Sequence, residues 1–393
     1  MKARIRNFID NILFTPKLLP EGMYQGTHSF PDGQTCRLHL RIGPSGDGLL
    51  ILNASTILHL NNSAAEFAFH IIQGSSEKIV IDEITKRYRI SSEQVTVDYQ
   101  TFLSRIESLI LSPDLDPETF LDIDRLELHQ EHLSAPIRID CALTYQVSEG
   151  VSSILAPVDR VKRLMDTDEW KTVLKKAWDK GILHAVFTGG EPTLRPDLVE
   201  LISYSEQLGQ VTGLITDGLR IGEKGYLNSL LQAGLDHVMI VLEPASPESW
   251  EAVRDLVHED IALTVHITVN QSFFNTATET LKNLKELGVS KISLSAESTE
   301  SNPFLHEVTR KVHDLGLTLV WDLPVPYSDL NPISMEFQNS ENTLKGAART
   351  WIYVEPDGDV LPGQGILKVL GNALSDTWES IWSAAKIWLN ESR

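Results

Sequence analysis

From residue 136 onward the chain repeats one unit, an amphipathic helix closed by a glycine and followed by a short apolar strand. The closing glycines are Gly181 before ILHAVF, Gly209 before QVTGLIT, Gly234 before LDHVMIVL, Gly288 before VSKISL and Gly316 before LTLVWDL, at intervals of 28, 25, 54 and 28 residues. Glycine suits the left-handed position just past a helix end, and strand-helix alternation of this kind builds a parallel sheet. The double interval contains one more strand, IALTVHITV, whose preceding helix lacks the closing glycine. With PIRIDCALTY as the first strand, residues 136–327 hold seven strands and their helices. That is fewer than the eight units, about 250 residues, of a complete barrel. A partial (β/α) barrel is therefore expected, with functional residues at the C-terminal ends of its strands.

The rest of the composition narrows partners and location. A formal charge of -20 over 393 residues, with a pI near 5.0, argues against a nucleic-acid partner, because phosphate binding needs a basic surface. The start, MKARIRNFIDNILF, is basic like a signal peptide, but Asp10 and Asn11 interrupt its apolar run and no small-residue cleavage site follows. No stretch approaches the roughly 18 apolar residues of a membrane span. Two distant cysteines, Cys36 and Cys141, make no disulfide framework. No membrane partner and a cytoplasmic location are expected.

Three further segments flank the barrel. Residues 1–112 read as a small α+β domain: CRLHLRI, LLILN and TILHL alternate as strands around GPSGDG, and helical patterns follow in AAEFAFHIIQG, IVIDEITKRY and VTVDYQTFLSRIESLI. Residues 113–135 are acidic and carry prolines, as a linker does. Residues 328–393 contain RTWIYVEPDGDVLPGQG and then GNALSDTWESIW, a strand, a PDG turn, a second strand and a helix.

The chemistry-bearing motif follows the strand HAVF: Thr188, Gly189, Gly190, Glu191, Pro192, then TLRPDL. Some forty residues upstream stands LTYQVSEGVSSIL. Together they resemble the radical S-adenosylmethionine (SAM) superfamily, in which one strand ends in LT-x-x-C-N-L-x-C-x-H-C-Y and the next in GGEP. The resemblance implies a partial TIM-like barrel and a GGEP turn that holds the amino group of SAM. It places the three cluster cysteines at Val147, Val151 and Ile154, all aliphatic here. A [4Fe–4S] cluster is held by cysteine thiolates, so these read as degenerate cluster positions. The C-terminal segment resembles the SPASM extension of peptide-modifying members of that family, where a cysteine follows the proline; here Gly363 follows Pro362. The N-terminal segment resembles PqqD-like, winged-helix peptide-recognition domains, which implies a leader peptide added as an extra strand.

Other polar residues fall at strand ends. Asp217 follows LIT and Glu243 follows IVL, while His266, Thr268 and Asn270 alternate along one strand and share a face. Glu191, Asp217 and Glu243 suit acid/base chemistry or an oxygen-ligand cation, or are inherited pocket polarity. Gly189, Gly190, Glu191, Pro192, Asp217, Glu243 and His266 are the candidate residual SAM pocket; no catalytic residue and no metal site are assigned. A lone histidine such as His266 is more often a satisfied interior group. Trp378, Trp382 and Trp388 read as core, and Lys175 and Lys176 as a solvated helix face.

The resulting expectation is a radical SAM-like pseudoenzyme that binds a leader or precursor peptide, or serves as a scaffold, beside an active radical SAM enzyme. No cofactor is expected, with SAM binding weak at most and no iron–sulfur cluster. The alternatives are a non-radical enzyme or a small-molecule binding protein that reuses the barrel mouth.

Overall fold

The computed structural model describes residues 18–29, 35–52, 56–111, 133, 135–149, 161, 163–320 and 346–391. Val151, Ile154, the N-terminal MKARIRNFIDNILF and most of the 113–135 segment lie outside the described residues. The chain divides into two compact units, Met1–Glu127 and Leu128–Arg393.

Among the described residues, the first unit is one antiparallel sheet with one face packed against helices. Its strands, β1 (Gly22–Ser29), β2 (Thr35–Ile42), β3 (Gly48–Leu52) and β4 (Thr56–Leu60), pair in chain order, so β1 and β4 are its outer strands. β1 has no counterpart in the sequence reading. Helices α1 (Asn62–Ile72), α2 (Glu77–Tyr88) and α3 (Ser92–Leu111) follow. Asn61 starts α1 by accepting the Ala64 N–H at 3.0 Å. Leu38, Leu40, Leu50 and Leu58 from the sheet pack with Phe67, Ile71, Val80, Ile84 and Phe102 from the helices.

The second unit is built on parallel strands. They are β5 (Arg138–Thr144), β6 (His184–Gly189), β7 (Val211–Thr216), β8 (His237–Val241), β9 (Ala262–Val269), β10 (Lys291–Ala296) and β11 (Thr318–Leu319). Each pairs with the next in chain order. The connecting helices are α4 (Thr167–Asp179), α5 (Leu198–Leu208), α6 (Tyr226–Gln232), α7 (Pro247–Val257), α8 (Gln271–Leu287) and α9 (Asn302–Asp314). All five closing glycines sit at positive φ, from 68° at Gly316 to 102° at Gly288. The exception is also as expected: α7 ends on His258 in right-handed geometry. All seven residues of β5 are buried, the mark of a strand covered on both faces.

The C-terminal strand β12 (Trp351–Val354) adds to the free side of β5, parallel to it, with Trp351 opposite Arg138 and Tyr353 opposite Asp140. β13 (Asp359–Leu361) and β14 (Gly371–Asn372) continue antiparallel beyond it. Among the described residues the sheet is open, with β11 and β14 at its ends. The fold class is the expected α/β partial barrel, extended by β12, whose partner lies more than two hundred residues away in sequence.

Helix α10 (Trp378–Glu391) closes the chain's described part. Trp378 and Trp382 stack with ring centroids 5.9 Å apart in the main core, and Trp388 packs against it. Lys176 corrects the solvated-face reading. Its ammonium donates to the Ala373 carbonyl and to the Asp376 carbonyl at 2.9 Å, pinning the segment before α10 onto α4. Lys175, one position earlier, does pair with Asp179 in solvent. Neighbouring positions on a helix point about 100° apart, so one lysine meets the C-terminal segment and the other does not. No helix among the described residues is long and apolar enough to cross a membrane.

Candidate functional site

The GGEP turn leaves β6 at the C-terminal end of the sheet and is sewn to the exit of β5. Gly190 N–H donates to the Thr144 carbonyl at 2.7 Å, and Glu191 N–H donates to the Gln146 carbonyl at 2.6 Å. Gly189 has φ 125°, and a Cβ there would lie 2.1 Å from the Thr144 oxygen. A Cβ on Gly190 would lie 2.0 Å from the Gln146 oxygen. Both glycines are thus required by a neighbouring backbone. The sequence argued for close approach, and the structure supplies the approaching partner.

Glu191 is buried beneath this turn and collects four hydrogen bonds. Its Oε1 accepts from Thr193 N at 2.9 Å, Thr193 Oγ1 at 2.5 Å and Thr216 Oγ1 at 2.8 Å. Its Oε2 accepts from Asp217 N at 2.7 Å. Burial, reinforced by the nearby Asp217 charge, lifts the carboxyl to about 7. Pro192 opens a 3₁₀ turn over Pro192–Leu194, whose N-cap is Glu191 itself.

Thr193, Thr216, Arg195 and Arg220 complete the neighbourhood, and none was picked out from sequence. Arg195 Nη1 donates to the Leu143 carbonyl at 3.2 Å and the Met165 carbonyl at 2.9 Å, while its fork grips Asp197. It ties the end of β5 to the segment before α4. Arg220 donates to the Thr193 carbonyl and stacks over Tyr226 at 4.6 Å. The available signals were the residues flanking the chosen ones: Thr216 directly precedes Asp217, and Arg195 stands in TLRPDL.

The structure thus joins Gly189, Gly190, Glu191, Pro192 and Asp217 into one hydrogen-bonded turn. Asp217 is half-buried, and its own carboxylate accepts from Leu219 N at 3.0 Å. Glu243 is exposed and folds back onto its own loop, taking the Ala245 N–H at 3.3 Å. His266 is fully buried, its Nδ1 and Nε2 each 3.0 Å from a serine hydroxyl, Ser293 and Ser295. Burial holds it neutral, with its titration pushed down to about 3. Asn270 caps α8 by accepting from Phe273 N at 2.8 Å. Val147 is half-buried one residue past Gln146. Gly363 is buried, with the Trp351 indole nitrogen 3.4 Å from where its Cβ would stand. A separate acidic group, Glu355, Asp357 and Asp359, lies in the β12–β13 turn. There Glu355 accepts the Tyr145 hydroxyl at 2.9 Å, and Asp359 accepts from Asn372 Nδ2 at 3.0 Å.

The raised Glu191 titration has a directional consequence. A carboxyl lifted by folding from about 4.5 to about 7 contributes stability that is full below pH 4.5 and is lost as pH rises through 7. Asp217→Asn removes the neighbouring charge. Its melting temperature is expected to exceed wild type at pH 8 and to match it at pH 5, where Glu191 is already neutral. An offset of equal size at both pH values in calorimetry would show that the two carboxylates do not interact.

Comparison with known proteins bears on this site. Residues 141–262 match the radical SAM superfamily. A PqqA peptide cyclase of Rhizobium meliloti (strain 1021) is 43% identical over 94 residues, which are 24% of this chain and 25% of that protein. The matched stretch therefore spans about a quarter of that relative's length. A PqqA peptide cyclase of Gluconobacter oxydans (strain 621H) is 28% identical over 261 residues, 58% of this chain and 70% of the relative. Among solved structures, Streptococcus suis SuiB bound to S-adenosylmethionine superposes with a TM-score of 0.56 at 14% identity, over 91% of this chain and 88% of SuiB. SuiB bound to precursor peptide SuiA gives a TM-score of 0.54 at 13% identity, over 93% and 88%.

These findings overturn the cofactor expectation of no cofactor, weak SAM and no iron–sulfur cluster. The matched family is one whose members bind SAM and iron–sulfur clusters, and a protein of the same fold is solved with SAM bound. The expectation rested on side-chain identity at Val147, Val151, Ile154 and Gly363. A pocket lined by backbone, as at the GGEP turn, is not read from those four side chains.

The backbone at Gly189 and Gly190 fits a SAM-binding turn, because its two glycines are kept and its shape is fixed by four hydrogen bonds to Glu191. The thiolate set of a [4Fe–4S] site does not fit this chain's own residues. Its two cysteines lie one in each unit, both buried, and burial next to Asp140 keeps the Cys141 thiol well above its ordinary titration range. Residues 141–262 thus match the radical SAM superfamily, and the PqqA peptide cyclases among the relatives support the peptide-modifying branch of it.

Proposed function

We propose that this protein binds a ribosomally made precursor peptide and presents it to a cysteine-complete radical SAM enzyme, without itself starting the radical step. The observation that carries the reading is the pairing of a preserved GGEP turn with aliphatic residues and a glycine where the family keeps cysteines. SAM would be held by the backbone of Gly189 and Gly190 with Glu191, Pro192 and Asp217 behind it. Bound SAM supplies, in such enzymes, the adenosyl group that becomes the radical. This chain's residues contribute a rigid seat: Glu191 fixes the turn, and Arg195 fixes the end of β5.

Peptide binding is supported by the first unit, whose sheet has two outer strands, β1 and β4, with backbone groups suited to strand addition. It is supported as well by the relatives, which are peptide cyclases. The non-radical enzyme reading has less behind it. Glu191 spends its carboxylate on four internal donors. Apolar clusters of Val186, Ile215 and Met239, and of Ala142, Tyr145, Tyr353 and Leu361, also fill strand faces away from the helix-side core.

The test uses the full chain and fluorescent synthetic peptides encoded beside its gene, with PqqA as the control. Micromolar or tighter binding is expected by anisotropy. Under anaerobic reduction, 5′-deoxyadenosine is expected only when the partner enzyme is added. Formation of 5′-deoxyadenosine by the purified chain alone would refute the presenting role, and absence of peptide binding would refute the recognition role.

A further inference from the structure

At the opposite, N-terminal end of the parallel strands, two histidines meet. His184 opens β6 and His237 opens β8, and β7 runs between them. Their Nε2 atoms are 2.5 Å apart, with ring planes inclined at 72°. The contact exists because the residue between them on β7 is Gly213, in register with His237. A Cβ at Gly213 would lie 2.1 Å from His237 Cε1 and 2.2 Å from its Nε2. Any side chain there would occupy the space of the imidazole.

We propose that His184 and His237 form a two-histidine site for a divalent transition-metal ion, zinc or copper, at the end of the sheet remote from the GGEP turn. Imidazole nitrogen is a preferred donor for both metals. Burial, with neighbouring positive charge, keeps both rings neutral at pH 7, as ligation requires. Both residues keep partial solvent contact, so an ion has access and water can complete the coordination. In the metal-free pair one Nε2 donates its proton to the other. Binding needs both Nε2 lone pairs, so that proton leaves Nε2 while solvent protonates Nδ1 of the same ring. The ring stays neutral and no net proton is released. Two nitrogens on a tetrahedral ion at 2.0–2.1 Å stand roughly 3.3 Å apart. The rings therefore need to separate by under 1 Å, a small rotation about their side-chain torsions.

The surrounding charges set the affinity. Arg138 on β5 is in register with His184, and Lys291 on β10 acts on His237. Both oppose a cation. Arg138 is already committed to Asp140, by Nε to Oδ1 at 2.8 Å and Nη2 to Oδ2 at 3.2 Å, and stacks over Trp351 at 5.0 Å. Lys291 is exposed and its charge acts on His237, so it is the residue whose removal strengthens the site. A bound ion ties β6 to β8 across β7, bracing the sheet where the strands begin.

The experiment is a zinc titration of the full chain, stripped with chelator, against a chromophoric competitor. One zinc per chain is expected at this site, and His184→Ala and His237→Ala should each weaken it by roughly tenfold or more. Lys291→Gln should tighten it by roughly two- to fivefold. A purely structural role for the pair would leave that last value unchanged. Copper(II) electron paramagnetic resonance of the wild-type chain, which needs no variant to fold, should show hyperfine structure from two imidazole nitrogens. Zinc affinity unaltered in both alanine variants, or a copper spectrum without two nitrogen ligands, overturns the proposal.

Discussion

Gly190→Ala is expected to destabilise the second unit by about 3–5 kcal/mol and to abolish the heat of SAM binding in titration calorimetry. The added methyl would stand 2.0 Å from the Gln146 carbonyl oxygen and 2.8 Å from the Tyr145 carbonyl carbon, both backbone atoms of the β5 exit. No rotamer relieves a contact between a Cβ and a main chain. The turn has to move, and in moving it breaks the 2.7 Å and 2.6 Å bonds that Gly190 and Glu191 make to Thr144 and Gln146. Overpacking of this kind costs about 1–3 kcal/mol, and each lost backbone bond roughly 1 kcal/mol more. At roughly 2–4 °C per kcal/mol for a unit of this size, the melting temperature of that unit should fall by about 10 °C. An alanine variant with unchanged melting temperature and unchanged SAM heat would remove the GGEP turn from the proposed SAM seat.

A comparably large effect is expected of Asp140→Ala, about 3–5 kcal/mol in urea unfolding followed by tryptophan fluorescence. Arg138 and Asp140 are both buried on β5 and joined by two hydrogen bonds. Burial raises the Asp140 carboxyl even against the attraction of Arg138, which shows how much desolvation the pair carries. Removing the carboxylate leaves a buried guanidinium without its carboxylate counter-charge, and that unbalanced charge is the source of the loss. The double variant Arg138→Met with Asp140→Leu should recover most of it, because an apolar pair of similar volume has no charge to desolvate. If the double variant is as unstable as Asp140→Ala, the loss comes from packing and the charge argument fails.

The fold was largely legible because its signals are local. Five of the six connecting helices announce their ends with a glycine such as Gly209 or Gly288, and each strand is a short apolar run, so seven parallel strands in chain order follow from neighbours in sequence. The GGEP turn was legible for a similar reason. Thr216 and Arg195, which hold that turn in shape, were not: a threonine at a strand end and an arginine in a loop look ordinary until their partners, Glu191 and the Leu143 and Met165 carbonyls, are in place. His266 and Glu243 show the converse. Their positions at or near strand ends suggested a shared pocket, yet one bonds to Ser293 and Ser295 in the interior and the other turns onto Ala245 in solvent.

The sequence by itself determined the alternation of strand and helix, the left-handed helix ends and the residue types at the degenerate positions, since each depends on a few adjacent residues. Only the tertiary structure decided that β12 lies beside β5, that Tyr145 reaches Glu355 across 210 positions, that Lys176 pins the C-terminal segment, and that His184 meets His237 over Gly213. These are contacts between segments far apart in the chain. They come from burying the two faces of one sheet, which leaves no periodic trace in the residues that make them.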